Sequence, residues 1–293
     1  MPSEIISYHK TRIAPTPSGF LHLGNVLSFA ITAALAKKHC AKILLRIDDL
    51  DQARANKHHV QDIFDTLNFL EIPWDEGPRN EKDFEENYSQ THRMPMYREA
   101  LTQLAKEGLV FVCTCSRSQL ENNPCNCINK HIPLSTKNAC WRLITSDKTK
   151  LEVKNYNGDR SAVALPGEMK NFIVKKKDGF PAYQLTSVVD DVFYGVDLIV
   201  RGEDLWPSTL AQHELSMALH RKEFQNIAFY QHPLLMGTSG QKLSKSAGAT
   251  SVKYLRDSGK KPADIYRLIA SMLGSNENIN DWELLAGIVA PHL

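Results

Sequence analysis

The chain has 293 residues, 42% of them hydrophobic and 23% charged, enough to bury a sizeable core without disulfides and to form about two domains, or one large domain with an insertion. Lys+Arg 35 against Asp+Glu 33 leaves a net charge of +2, so no overall basic field marks a nucleic-acid binder, while a local basic patch stays open. The uncharged stretch 25–36 is cut by Lys37 and Lys38, too short for a bilayer, and residues 1–10 lack a basic-then-apolar leader, so membrane and secreted classes are excluded and a cytoplasmic protein is expected.

Taken in chain order, Thr11–Pro15 predicts a short strand running into a Pro- and Gly-rich turn, and residues 25–38 carry apolar side chains at helical spacing. Lys42–Ile47 is an apolar run ending in carboxylates, the pattern of a buried strand with a functional C-terminal end. His59–Leu70 and Met96–Glu107 repeat the helical spacing, and Gly108 is a plausible stop. From Cys113 to Pro166 the periodicity weakens into cysteines, turns and short β-like pieces, which reads as an insertion. Phe172–Lys176 and Ala182–Val188 flank Lys177-Asp178-Gly179 as the arms of an expected hairpin. Asp197–Val200 predicts another parallel strand, Thr209–His220 a helix, and the chain from Val252 onward is helical, most clearly over Ala263–Leu273. This alternation predicts an α/β fold with a largely parallel sheet.

Six cysteines are too few for a disulfide scaffold. Cys113, Cys115, Cys125 and Cys127 form two Cys-x-Cys hooks, and the nine residues between them, with Asn123 and Pro124, leave ample chain to turn back. Four thiolates from two hooks close a tetrahedral zinc site; four free thiols are the alternative. Cys140 is a spare candidate ligand, and Cys40 is expected in the core.

Two segments carry phosphate chemistry. Pro17-Ser18-Gly19-Phe20-Leu21-His22-Leu23-Gly24-Asn25 places a Gly-containing turn between a strand and a helix, which offers backbone N–H groups and a positive dipole end to an anion. His22 and Asn25 are candidate donors to a phosphoryl group, and Gly24 lets a base or ribose approach the backbone; a purely structural turn is the bland alternative. Lys242-Leu243-Ser244-Lys245-Ser246, among Gly237, Gly240 and Gly248, reads as a cationic loop able to clamp a triphosphate, or as a solvated surface loop.

Together the two segments resemble the paired signatures of class I aminoacyl-tRNA synthetases. The flanking residues Arg12-Ile13-Ala14-Pro15-Thr16-Pro17-Ser18-Gly19, Arg46-Ile47-Asp48-Asp49-Leu50-Asp51, Tyr183 through Asp191, and Arg201-Gly202-Glu203-Asp204 are similar to the glutamyl-tRNA synthetase group. The resemblance implies a Rossmann-like doubly wound parallel sheet with an inserted acceptor-binding-type zinc subdomain and a short helical C-terminal tail. Its halves would occupy residues 1–112 and 171–250, the inserted subdomain 113–170, and the tail 251–293. It implies catalytic roles for His22, Lys242 and Lys245, and glutamate contacts from Arg12, Ala14, Thr16, Ser18, Asp48, Tyr183 and Arg201. ATP contacts would come from Gly19, His22, Gly24, Asn25, Asp204, Leu235, Lys242 and Lys245, with Mg²⁺ on the phosphates and structural Zn²⁺ on Cys113, Cys115, Cys125 and Cys127. Arg12 and Arg201 suit carboxylates as forked donors; a pairing of Arg46 or Arg201 with Asp49 or Glu203, and a core role for Tyr183, are the alternatives.

Within the group, the short stretch after Ser246 leaves no room for an anticodon-binding domain of normal size. That, with Ser187 in place of the usual Asn and the cysteine hooks, resembles the glutamyl-queuosine tRNA(Asp) synthetases. The resemblance implies a monomer that activates L-glutamate without tRNA and passes it to queuosine-bearing tRNA(Asp). Two departures stand out. The second hook is Cys125-Asn126-Cys127, where those paralogues have a Tyr and a more distant Cys. Asp48 stands where most relatives have Glu, which draws the carboxylate back by roughly 1.5 Å. Lys253, Arg256, Lys260, Lys261 and Arg267 are candidate tRNA contacts. Rival readings are an ordinary or truncated glutamyl-tRNA synthetase acting on tRNA(Glu), and a catalytically lapsed amino-acid or RNA binding module.

Overall fold

The computed structural model describes residues 6–52, 54–122, 125–146, 150–236 and 251–289. In chain order the main elements are β1 (Lys10–Ile13), α1 (Leu23–His39), β2 (Lys42–Leu45), α2 (Lys57–Phe69), α3 (Met94–Lys106), β3 (Val110–Cys113), α4 (Arg117–Asn122), β4 (Cys140–Leu143), β5 (Lys150–Asn155) and β6 (Arg160–Ala164). They continue through β7 (Ile173–Lys175), α5 (Tyr183–Phe193), β8 (Leu198–Gly202), α6 (Trp206–Ala218), β9 (Ala228–His232), α7 (Val252–Asp257), α8 (Pro262–Met272) and α9 (Trp282–Val289). The chain folds as two compact units: Met1–His92 with Val196–Asp204 and Phe229–Leu293, and Arg93–Gly195 with Leu205–Ala228.

In the first unit the strands run in the order β2-β1-β8-β9. β1 lies parallel to β2 in the register Lys10↔Lys42 to Ile13↔Leu45, and parallel to β8 at Thr11↔Leu198. A parallel neighbour needs a crossover, and α1 supplies it. Leu23, Val26, Leu27, Phe29, Ile31, Ala33 and Leu35 are all buried, so α1 is apolar around most of its circumference. The cause is packing on two sides: α1 touches β1, β2 and β8, and also α8 and α9. Lys37, Lys38 and His39 close its last turn, where cations oppose the dipole, and the helix ends at Cys40 with φ 53. Cys40 is exposed there, not in the core as expected; the left-handed cap turns its side chain out of the helix's packed face.

In the second unit β3, β4 and β7 form an antiparallel sheet in that order, and β5 pairs β6 as an antiparallel hairpin, Lys150↔Ala164 through Lys154↔Arg160. The molecule is therefore α/β with parallel and antiparallel pairs. The turn expected at Lys177-Asp178-Gly179 is present: Gly179 takes φ +89, the Phe180 carbonyl accepts from the Lys176 N–H at 2.8 Å, and Lys175 bridges Pro181. The second arm of the expected hairpin is not a strand. Tyr183–Phe193 is helix α5, which buries Leu185, Val188 and Val189 on an i, i+3, i+4 face. One buried ion pair fixes α5: the Arg93 guanidinium donates to both oxygens of Asp190 at 2.8 and 3.1 Å, and Tyr97 adds its hydroxyl at 2.7 Å. On α6, Glu214 is buried, its Oε2 has no hydrogen-bond partner, and burial pushes its carboxyl up against the opposing Ser146 N–H. Among the described residues no helix is long and apolar enough to cross a membrane.

Candidate functional site

In the first unit the C-terminal ends of the parallel strands β1, β2 and β8 lie side by side, the edge at which open α/β sheets bind ligands. Arg12 is buried on β1, and its Nη1 donates to the Val200 carbonyl at 3.4 Å, tying it to the end of β8. Arg201 is also buried, with its guanidinium carbon 5.0 Å from the Phe229 ring centroid. Past β1 the chain stays against its neighbour: the Arg46 N–H donates to the Ile13 carbonyl and the Asp48 N–H to the Pro15 carbonyl, both at 2.9 Å. Ala14 and Asp48 thus stand at adjacent strand ends, with Thr16 exposed and Ser18 and Gly19 half-buried in the turn between β1 and α1.

Asp48 is gripped by its own strand. Arg46 donates to both of its oxygens, Nε to Oδ1 at 2.7 Å and Nη2 to Oδ2 at 3.0 Å. The pairing the sequence offered to Asp49 goes to Asp48 instead, because residues two apart on an extended strand end share a face. Asp49 holds a different loop: it accepts from the Ser89 hydroxyl at 2.6 Å and the Gln90 N–H at 2.8 Å.

His22 is the N-cap of α1. Its Nδ1 accepts from the Gly24 N–H at 3.1 Å, while the Asn25 side chain accepts from the His22 N–H at 3.0 Å, a reciprocal capping box. With Nδ1 accepting, Nε2–H is the ring's donor, beside the positive end of a helix. Gly24 has a reason the sequence did not show. A Cβ there would stand 3.1 Å from His22 Cε1 and 3.2 Å from Nδ1, so the glycine makes room for the imidazole. Asn25 likewise spends its side chain on the cap.

Lys242 and Lys245 lie outside the described residues, as do Gly237, Gly240 and Gly248. The described chain resumes at Ser251, which bridges His22, and the Val252 N–H donates to the Leu21 carbonyl at 2.8 Å. Leu235, before the gap, is buried. Asp204 folds back over Gly202, where a Cβ would meet its Oδ1 at 2.6 Å. Tyr183 belongs to the second unit, as the first residue of α5. It is 43% exposed, which removes the core-aromatic alternative.

The two cysteine hooks converge in the second unit. The sulfurs of Cys113, Cys115, Cys125 and Cys127 all lie within 4.8 Å of one another. Cys113 and Cys125 are 3.5 Å apart, Cys115 and Cys125 4.0 Å, and Cys115 and Cys127 3.5 Å. A tetrahedron with Zn–S of about 2.3 Å has edges near 3.8 Å, so the set fits a zinc ion. Cys140 stands apart from the set; its thiol donates to the Cys113 carbonyl at 3.3 Å. Burial acts upward on the Cys113 thiol, but the Arg142 guanidinium and the Cys115 N–H outweigh it and bring it down to about 7. Burial pushes Cys125 up to about 12.

Sequence reasoning missed several residues. Asp62 on α2 is buried; it accepts from the Leu21 N–H at 3.4 Å and pairs with Arg256 on α7 at 3.2 Å. Burial raises its carboxyl, opposed by those two contacts. His232 is buried beside Gly202, its Nδ1 donating to the Pro233 carbonyl at 3.0 Å, and burial lowers its pKa. Neither has a sequence signal, since both depend on long-range packing. The basic tail is largely spent on neighbours: Lys253 pairs with Asp257 at 2.7 Å, Arg256 with Asp62, and Arg267 with Asp264 at 2.9 Å.

The family model "tRNA synthetases class I (E and Q), catalytic domain" matches residues 9–152 and 135–286. The chain belongs to this family. Within these class I synthetases it is 30% identical over 284 residues to glutamate–tRNA ligase 2 of Syntrophus aciditrophicus, covering 91% of this chain and 57% of that protein. It is 33% identical over 283 residues to the glutamyl-Q tRNA(Asp) synthetase of Symbiobacterium thermophilum, covering 90% and 86%. The chain spans a little over half the length of the glutamate–tRNA ligases it matches. A glutamate tRNA ligase of Elizabethkingia meningosepticum, solved in complex with its amino acid, superposes with a TM-score of 0.73 at 20% identity over 96% of this chain and 64% of that one, a likeness of fold.

Proposed function

We propose that this synthetase-family chain activates L-glutamate with ATP and passes the glutamyl group to the queuosine base of tRNA(Asp). A carboxylate oxygen of glutamate attacks the α-phosphorus of ATP; the bond to the pyrophosphate oxygen breaks, leaving glutamyl-adenylate and pyrophosphate. Such a step needs in-line positioning and charge stabilisation more than proton transfer. The observation that carries the reading is the His22 cap, which presents an Nε2–H donor at a helix N-terminus for the phosphate oxygens. Mg²⁺, when bound, offsets phosphate charge. Arg12 and Arg201 pair with substrate carboxylate, and Asp48, held by Arg46, receives the ammonium. Gly19, Asp204 and Leu235 border the nucleotide. Lys242 and Lys245 hold the departing pyrophosphate. Cys113, Cys115, Cys125 and Cys127 hold a structural zinc ion.

The glutamyl-Q tRNA(Asp) synthetase relative, of which the chain covers 86%, supports queuosine as the acceptor. The several glutamate–tRNA ligases at 30–31% identity favour a second reading, charging of tRNA(Glu). Incubation with labelled glutamate, ATP and tRNA with or without queuosine separates them. Label that requires queuosine supports the first reading, and label on unmodified tRNA(Glu) the second. No ATP–pyrophosphate exchange under any condition defeats both. Lys245→Ala is expected to lower that exchange a hundredfold or more while glutamate binding stays measurable.

A further inference from the structure

A zinc ion bound by four thiolates carries a net charge of −2, and a charge of that size in a half-buried setting needs compensation from the chain around it. Two cations of this chain reach the first hook from different elements. Arg142 lies on β4, where the register sets Cys113 opposite Cys140 and Phe111 opposite Arg142. Residues two apart on a strand share a face, so Arg142, Cys140, Cys113 and Phe111 line one side of the β3–β4 ladder, with Arg142 on the diagonal from Cys113. Phe111, Cys113, Cys127 and Cys140 pack together there as a buried cluster. The Arg142 Nη1 is anchored on the Asn171 carbonyl at 2.8 Å, which holds the guanidinium in place, and its Nε is buried without a hydrogen-bond partner. Lys177 arrives from the turn after β7: its Nζ donates to the carbonyl of Thr114 at 3.2 Å, the residue between the two cysteines of the first hook.

We infer that Arg142 and Lys177 are the outer shell of the thiolate metal site, balancing its two negative charges and fixing the first hook in ligand geometry. This rests on the proposed zinc ion and goes beyond it, since neither residue is a ligand. Both are positioning residues, and they set how tightly and how long the metal is held. Arg142 acts on the Cys113 sulfur from the sheet face, and Lys177 acts on the hook's backbone from the solvent side.

The test uses the full chain, reconstituted with zinc and freed of excess, with zinc retention followed by a colorimetric chelator and by metal content per chain. Wild type is expected to hold one zinc ion. Arg142→Met and Lys177→Met are each expected to weaken zinc binding by about 10- to 100-fold, and Arg142→Lys, which keeps the charge, to recover most of the loss. Added salt should shrink the Lys177→Met effect more than the Arg142→Met effect, because Lys177 is exposed and Arg142 half-buried. Circular dichroism checks that each variant is folded; because Lys177 is a surface residue, its variant keeps the test decisive if Arg142→Met does not fold. Zinc held by wild type and by folded Arg142→Met and Lys177→Met with affinities within threefold overturns the inference and leaves the zinc site standing. A wild type that takes up no zinc overturns both.

Discussion

The His22 turn and the cysteine cluster bring together groups of similar chemical weight by opposite means. His22 is positioned by its own neighbourhood: within three residues, the Gly24 N–H donates to its ring and the Asn25 side chain accepts from its backbone N–H. The four thiols come from two hooks and meet mainly each other, at 3.5–4.0 Å, where S–H groups are weak donors. Local backbone therefore pre-forms the first site, whereas the second becomes rigid when a shared partner draws the sulfurs inward. A site of the first kind should survive changes elsewhere; a site of the second kind should depend on its metal.

The largest expected effect tests that dependence. Cys113→Ser should abolish tight zinc binding, a loss of several kcal/mol of binding free energy that appears as a lowered Tm only in zinc-loaded samples. If ATP–pyrophosphate exchange falls by the same factor, the two sites are not independent and the contrast breaks. Next, His22→Ser keeps a favourable N-cap but removes the Nε2 donor. Exchange should drop a hundredfold or more, about 3 kcal/mol of barrier, while Tm moves by less than about 2 °C. A large fall in Tm would mean that the ring matters to the turn as packing. Gly24→Ala probes the same turn more gently: its Cβ would press on the imidazole from 3.1 Å, so exchange should fall about tenfold, with little change in stability because alanine also favours the helix. The smallest effect is a control in the second unit, at a residue outside the cysteine cluster. Folded Glu214 keeps its proton to a higher pH than the unfolded chain does, so wild-type stability falls as pH rises through that window. Glu214→Gln should be more stable than wild type by about 1 kcal/mol at pH 7, with the gain vanishing toward pH 4, and zinc retention unchanged.

Much of this was legible in the chain itself. The apolar spacing of residues 25–38 and the Pro-Gly turn before it became α1 and its approach loop, and the two Cys-x-Cys hooks converged as their spacing predicts. The error at Ala182–Val188 has a physical source. Tyr183, Thr186, Val188 and Val189 favour a strand by propensity, yet Leu185, Val188 and Val189 also fall at helical spacing, and packing decided for the helix. Pairings were hardest to read. Arg46 with Asp48, Asp62 with Arg256 and Arg142 beside Cys113 depend on which backbones the fold sets side by side, and composition carries no trace of that. Cys40 misled for a related reason: a small apolar residue at the end of a buried helix reads as core, but a left-handed cap sends it to solvent.

One short segment has a mechanical consequence. Lys177 is fastened to the carbonyl between two cysteines, the Lys175–Pro181 bridge closes the bend around it, and α5 begins at Tyr183. An ammonium that leaves the Thr114 carbonyl would release the hook's backbone and the bend together, so one surface lysine ties the order of the loop to that of the first hook.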